Sequence, residues 1–188
     1  MRRHVLGSLA GAAALAAVGS VATLARPLTA RRIYAVTWRG RTQVEQGFTD
    51  YLGKSGLPVE FTWRDAAQGT ARIAEFAREI RETKPDLVYT WGTPPTLGIA
   101  GPFDQADPAK HVTGIPIVFA LVASPVGAKL VPSLKGQGRD VTGVYHVAAI
   151  ASQVEAMRAY RGFSKVGVIY NAAELNSVAT ASALKDLA

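Results

Sequence analysis

The side chains able to do covalent chemistry are few and poorly spaced for it. The 188-residue chain has no cysteine and three histidines, which excludes a thiolate nucleophile, a cysteine-ligated zinc or iron–sulfur centre and a disulfide framework. His111 and His146, the histidines beyond the first thirty residues, belong to no HExxH pattern, and no GxSxG elbow is present. Zinc hydrolysis and serine hydrolysis therefore both lack their parts. His111 falls in a loop and is expected to be solvated. Gly53-Lys54-Ser55 imitates the end of a phosphate loop, but Phe48 stands where the first glycine belongs and the segment follows a helical stretch instead of a strand. Gly92, Gly98 and Gly101 do not form a GxGxxG sequence. No catalytic residue, metal ligand or cofactor is expected, and the chain does not read as an enzyme.

What remains suits holding a small molecule. Trp38-Arg39-Gly40-Arg41 leads into Thr42-Gln43-Val44-Glu45, the spacing of a capping box. In Gly92-Thr93-Pro94-Pro95-Thr96, Thr93 can cap a helix that has proline at its first position, and Ser124-Pro125 repeats that arrangement. Tyr170-Asn171, with Glu174, Asn176 and Ser177, precedes a final helical stretch. Any one cap is an ordinary helix start; what sets these apart is that each follows an apolar run.

From Arg32 onward short apolar runs alternate with helical periods, the signature of an α/β fold with a doubly wound parallel sheet, expected in the order 2-1-3-4-5. Strands are predicted at 33–38, 59–63, 86–91, 117–122, 141–145 and 165–170. The helix at 42–54 should bury Val44, Phe48, Tyr51 and Leu52, and the next should bury Ile73, Phe76, Ala77 and Ile80. Lys84-Pro85 ends that second helix. A short helix near 94–100, an irregular stretch at 101–114, a helix carrying Ile150, Val154 and Met157, and a last helix at 176–188 complete the pattern. Ligands of such sheets bind beyond the carboxyl ends of the strands, where all of the loops above fall. Trp38 and Trp91 would end neighbouring strands and flank one crevice.

The formal charge of +7 is dispersed. Arg2 and Arg3 sit at the extreme N-terminus, while Arg72, Arg78 and Arg81 interleave with Glu75, Glu79 and Glu82, predicting ion pairs at i,i+3 and i,i+4 on a solvated face. Nucleic acid is not an expected partner. With 48 % hydrophobic and 19 % charged residues, the composition also excludes a disordered tail and a multi-span membrane protein. Residues 1–25 combine a basic start with an uncharged Ala- and Gly-rich run and small residues at Thr23 and Ala25, which reads as a signal peptide cleaved after Ala25, or secondarily after Ala30. The competing reading is a single membrane anchor, for which the run is long enough but weakly hydrophobic. Arg2-Arg3 also suits the twin-arginine export route as well as the general one. Without a cysteine there is no lipid-modified N-terminus, so the mature protein is expected to be soluble and periplasmic or otherwise extracytoplasmic.

The runs Tyr34-Ala35-Val36-Thr37-Trp38-Arg39-Gly40, Asp86-Leu87-Val88-Tyr89-Thr90-Trp91-Gly92-Thr93, Ile115-Pro116-Ile117-Val118-Phe119 and Val141-Thr142-Gly143-Val144 resemble ABC-transporter substrate-binding proteins of the tryptophan/aromatic amino-acid type. Val168-Ile169-Tyr170-Asn171, with Glu174, Asn176 and Ser177, is similar to the second-lobe motif of that family. The resemblance departs at Ser124, where the family often has an aspartate before the proline, and in length, since the family's second lobe continues for well over a hundred residues. It implies the periplasmic-binding-protein type I fold: an α/β lobe at 32–145, then a crossover beginning at 144–147 and an incomplete second lobe at 146–188. It also implies ligand contacts from Trp38, Trp91, Thr93 and Ser124 on one side and from Asn171, Glu174, Asn176 and Ser177 on the other, with the last helix start facing a carboxylate and Glu174 an ammonium. The implied function is that of a monomeric exported protein without a cofactor, which delivers an amino-acid-like solute to an ABC permease. A ligand-sensing domain of the same fold serving a signalling system is the alternative.

Overall fold

The computed structural model describes residues 29–135 and 138–187; the expected signal peptide at 1–25 lies outside the described residues. The elements run β1 (Arg31–Thr37), α1 (Gln43–Lys54), β2 (Val59–Asp65), α2 (Thr70–Thr83), β3 (Leu87–Trp91), α3 (Thr93–Ala100), β4 (Ile117–Ala120), β5 (Val141–Val144), α4 (Ile150–Tyr160) and α5 (Leu175–Asp186). The five strands form one sheet in the predicted order, β2-β1-β3-β4-β5, and every pairing is parallel.

Residues Ile33 to Thr37 of β1 are buried without a break, as expected of a strand covered on both faces. On one face, Tyr34, Val36, Val88, Ile117, Phe119 and Val141 pack against α2 and α3. The predicted α2 stripe of Ile73, Phe76, Ala77 and Ile80 is the one that is buried. On the other face, Ile33, Ala35, Tyr89 and Trp91 meet Phe48 and Leu52 of α1, and the Phe48 and Tyr89 rings stack with centroids 4.9 Å apart.

The buried stripe of α1 departs from the prediction. Val44 and Tyr51 are 41 % and 72 % exposed, whereas Glu45 is fully buried. The capping box turns Glu45 back onto Thr42, whose N–H and hydroxyl both donate to Oε2 at 2.7 Å. The Tyr89 hydroxyl donates to Oε1 at 2.6 Å. A carboxylate satisfied on both oxygens can sit inside, so the inward face becomes 45, 48 and 52. Burial and this bond to a carboxylate together push the Tyr89 hydroxyl well above the usual tyrosine range.

Two further expectations are corrected. The segment 165–170 forms no strand; a ladder needs a neighbour, and the sheet ends at β5 with nothing pairing this segment among the described residues. Ile169 is accordingly 102 % exposed. Of the interleaved charges on α2, only Arg78 and Glu82 pair locally, at 3.9 Å. Glu79 instead reaches the sheet edge, where Arg64 and the Tyr34 hydroxyl both donate to it, and the Arg64 bond holds its carboxyl below the usual range. Among the described residues no helix is long and apolar enough to cross a membrane.

Candidate functional site

The loop after β1 is held from two sides. Asp65, closing β2, accepts from the N–H groups of Gly40 and Ala67, each at 2.9 Å, and the Gln68 N–H donates to the Trp38 carbonyl at 2.8 Å. Burial raises the Asp65 carboxyl, but the Ala67 and Gly40 bonds outweigh it and leave the group below its ordinary value. On the other side, the Thr42–Glu45–Tyr89 network fixes the start of α1 to β3. The loop thereby presents two guanidiniums on aromatic platforms: the Arg39 carbon is 5.4 Å from the Trp91 ring centroid, and the Arg41 carbon is 4.4 Å from that of Trp63.

Trp38 is half-buried and packs against both cores. Trp91 lies deeper, 8 % exposed, within the α1-side core. The two indoles therefore do not stand as equal walls of an open crevice: Trp91 belongs to the core, with the Arg39 guanidinium over its ring. The Trp91 indole N–H is buried and has no hydrogen-bond partner among the described residues.

Thr93 does not cap α3. Gly92 holds the cap position with φ 92° and ψ 159°, a conformation that only glycine adopts without strain. Thr93 is the first helical residue and is buried. The Thr96 hydroxyl, not that of Thr93, bonds the Gly92 carbonyl, at 2.7 Å. Ser124-Pro125 likewise starts no helix. It opens a turn in which the N–H of Ala128 bonds the Ser124 carbonyl at 2.8 Å and that of Leu130 the Pro125 carbonyl at 2.9 Å.

Ser124 is where the sheet region meets the C-terminal residues. A Cβ built at Gly127 would fall 2.5 Å from Ser124 Oγ and 3.8 Å from Ala179 Cβ of α5, so a side chain there would displace the Ser124 hydroxyl. The cleft beside it, about 210 Å³, is lined by Ser124, Pro125, Tyr145, Val147, Ala179 and Thr180 among others. Of the residues expected to contact ligand, Ser124 lines this cleft; Asn171, Glu174, Asn176 and Ser177 do not. Glu174 occupies the cap position of α5 without capping it. Its side chain accepts instead from the Asn171 amide at 3.3 Å. Asn176 and Ser177 sit in the first turn, half-buried.

A larger hollow of about 330 Å³ lies between α4, α5 and the unpaired segment, walled by Val154, Phe163, Val168 and Leu184. Its apolar wall is joined by three cations, Arg158, Lys165 and Lys185, and by Ser164. His111 is not solvated as expected: it is half-buried against Gly101, its Nδ1 accepts from the Asp107 N–H at 2.9 Å, and burial lowers its pKa. His146 is exposed. Among the described residues no group of three His, Asp or Glu side chains could hold a metal.

Asp65, the burial of Glu45 and the stacked arginines are not among the features expected from the sequence. The Thr42-to-Glu45 spacing marks the cap but not the burial, which depends on Tyr89 far along the chain, and the others likewise depend on contacts across strands.

A model of the family described as ABC transporter substrate binding protein matches residues 33–188. A Clostridioides difficile protein named tyrosine-binding protein is 30 % identical over 137 residues, which are 72 % of this chain and 37 % of that protein. A solved structure of a conserved domain protein from Vibrio cholerae is 27 % identical with a TM-score of 0.69, covering 84 % of this chain and 53 % of its own. The structure of an ABC domain in complex with L-Trp from Streptococcus pneumonia has the same TM-score and coverage at 23 % identity, a likeness of fold. The chain thus spans from about a third to about half of the length of these proteins. With the sheet order, the strand-end loops and the family match in agreement, the chain belongs to the ABC transporter substrate binding protein family.

Proposed function

We propose that this protein acts outside the cytoplasm as the solute-binding component of an ABC importer, taking up a small amino-acid-like molecule and handing it to the membrane permease. It would do so as a soluble monomer without a cofactor, after removal of a signal peptide ending near Ala25. The observation that supports this reading is the parallel sheet in the order 2-1-3-4-5, whose strand-end loops are where ligands of such sheets bind, with a cleft between the Ser124 turn and α5. The name of the Clostridioides difficile relative supports an aromatic amino acid as the kind of solute. Trp38, Trp91, Thr93 and Ser124 would contribute from the first lobe (32–145), and Asn171, Glu174, Asn176 and Ser177 from the second (146–188). Closing two lobes over a solute requires contacts from both faces. A form extended to the length of its relatives should therefore bind more tightly than residues 1–188 alone.

Titration calorimetry with a panel of aromatic amino acids tests this. Saturable binding that strengthens in the extended form is the expected result. Equal affinity in both forms would defeat the two-lobe account, and no saturable binding in either would defeat the solute-binding reading itself.

A further inference from the structure

The hollow of about 330 Å³ between α4, α5 and the segment after α4 combines an open apolar wall with unpaired positive charge. Val154 is buried and Phe163 and Leu184 are half-buried, yet Val166, Val168 and Leu187 of the same wall stay 51 %, 48 % and 43 % exposed. Arg158, Lys165 and Lys185 join that wall and no carboxylate does. Among the described residues none of the three forms an ion pair. Arg158 lies over Phe163 instead, its guanidinium carbon 5.8 Å from the ring centroid. Covering apolar surface is favourable in proportion to its area, whereas a cation leaves water only with a partner. An occupant that meets both conditions has an apolar body and an anionic head.

We propose that this hollow binds a small anionic amphiphile, a carboxylate on a medium-length hydrocarbon tail. The tail lies against Val154, Phe163, Val168 and Leu184, and the head sits among Arg158, Lys165 and Lys185. The volume falls at the lower end of the range of ligand pockets, about 300–1,000 Å³, which suits a single tail. A planar guanidinium takes both oxygens of a carboxylate, and the two lysines add charge without fixed geometry. A second copy of the chain is a poorer occupant, because a symmetric contact sets the three cations of each copy against those of the other, and the chain already carries a formal charge of +7. The site is separate from the cleft beside Ser124. On α5, Ala179, Thr180 and Ala183 face that cleft, while Ala181, Leu184 and Lys185 face the hollow, on the other side of the helix. The inference therefore goes beyond the solute-binding reading and does not rest on it.

The methyl signals of Val168 and Leu184 in a proton–carbon correlation spectrum of the full chain, assigned by the signals lost in Val168→Ala and Leu184→Met, report on the hollow. The chain is titrated with octanoate below its micelle range, with octan-1-ol, which keeps the tail alone, and with butyrate, which keeps the head on a short tail. Octanoate should shift both methyls saturably and bind roughly tenfold or more tightly than octan-1-ol, through its charge-assisted bonds. Butyrate, with less tail to bury, should bind roughly tenfold or more weakly than octanoate. Lys165→Gln combined with Lys185→Gln, both at exposed positions, should weaken octanoate roughly tenfold and leave octan-1-ol binding and the melting temperature unchanged. Octan-1-ol binding as tightly as octanoate, or octanoate binding unchanged in the double variant, would remove the anionic head from the site and overturn the proposal. So would octanoate that shifts neither methyl. Methyl signals that move on dilution of the protein alone would put a second copy in the hollow and overturn it as well.

Discussion

The sheet region and the residues that follow β5 carry the same kinds of sequence pattern, yet they pack differently. In the sheet region each apolar face meets a partner: α2 and α3 on one side, α1 on the other. Beyond β5, α4 buries only Val154 and α5 buries nothing, and Ile169 stands free. β-branching does not account for the contrast, since half of the residues in 165–170 and half of those in 117–120 are β-branched. A strand is a relation between segments and a helix is mostly a property of one, so helices form in both regions and strands form only where a neighbour exists.

The sharpest way to break this comparison is to delete the same side chain from both regions. Ile80 is fully buried between α2 and the sheet. Ile80→Ala should cost about 2–5 kcal/mol through lost transfer energy and the cavity left behind. Ile169→Ala should fall within about 0.5 kcal/mol of the parent. Urea denaturation reads both, and a loss above about 2 kcal/mol for Ile169→Ala would show that the segment is packed in solution.

Next in size is the buried carboxylate. Tyr89→Phe removes the donor to Glu45 Oε1 without changing the shape of the ring, leaving one carboxylate oxygen unsatisfied in a core. The expected cost is about 1–3 kcal/mol. Because Glu45 anchors the Arg39 loop, the Trp38 and Trp91 indole signals should shift as well. Wild-type stability in this variant would mean that water replaces the hydroxyl.

What was legible in the sequence follows the same division. The order 2-1-3-4-5, the α2 stripe and the Thr42–Glu45 box depend on contacts near in sequence or on the standard winding of parallel units, and all three are present. The inward turn of Glu45 was missed because its partner, Tyr89, is far away in the chain. Thr93 before Pro94 suits a cap with proline opening the helix, but α3 starts one residue earlier, with Gly92 at a positive φ in the cap position. For the candidate site, the loops were identifiable and their contacts were not: no spacing reveals that Arg39 lies over Trp91, or that Ser124 abuts α5 through Gly127.

A pH slope sharpens the comparison through His111 and His146. Burial lowers the pKa of His111 in the folded protein, so the unfolded chain binds its proton more readily. Stability should therefore fall as pH drops from the unfolded value, about 6.5, toward the lower folded value, and should level off below that. His111→Gln, which removes the titration, should flatten this part of the stability curve. His146→Gln, at an exposed position, should leave it unaltered. Melting temperature measured from pH 5 to pH 8 checks both, and an unchanged slope in His111→Gln would assign the dependence to another group.

The smallest effect compares two helix starts. Thr42 caps α1, accepting from the Val44 N–H at 3.2 Å and donating to Glu45, so Thr42→Ala should cost about 1 kcal/mol. Ser177 lies in the first turn of α5, where the cap position makes no side-chain hydrogen bond. Ser177→Ala therefore has no cap to lose, and since alanine is the better helix former its stability should stay within about 0.5 kcal/mol of the parent. That near-zero value makes the variant informative about binding. In the extended form, a roughly tenfold drop in solute affinity at unchanged melting temperature would assign the Ser177 hydroxyl to the ligand. Unchanged affinity at unchanged stability would remove Ser177 from the site and leave Asn171 and Glu174 as the contribution of that helix start.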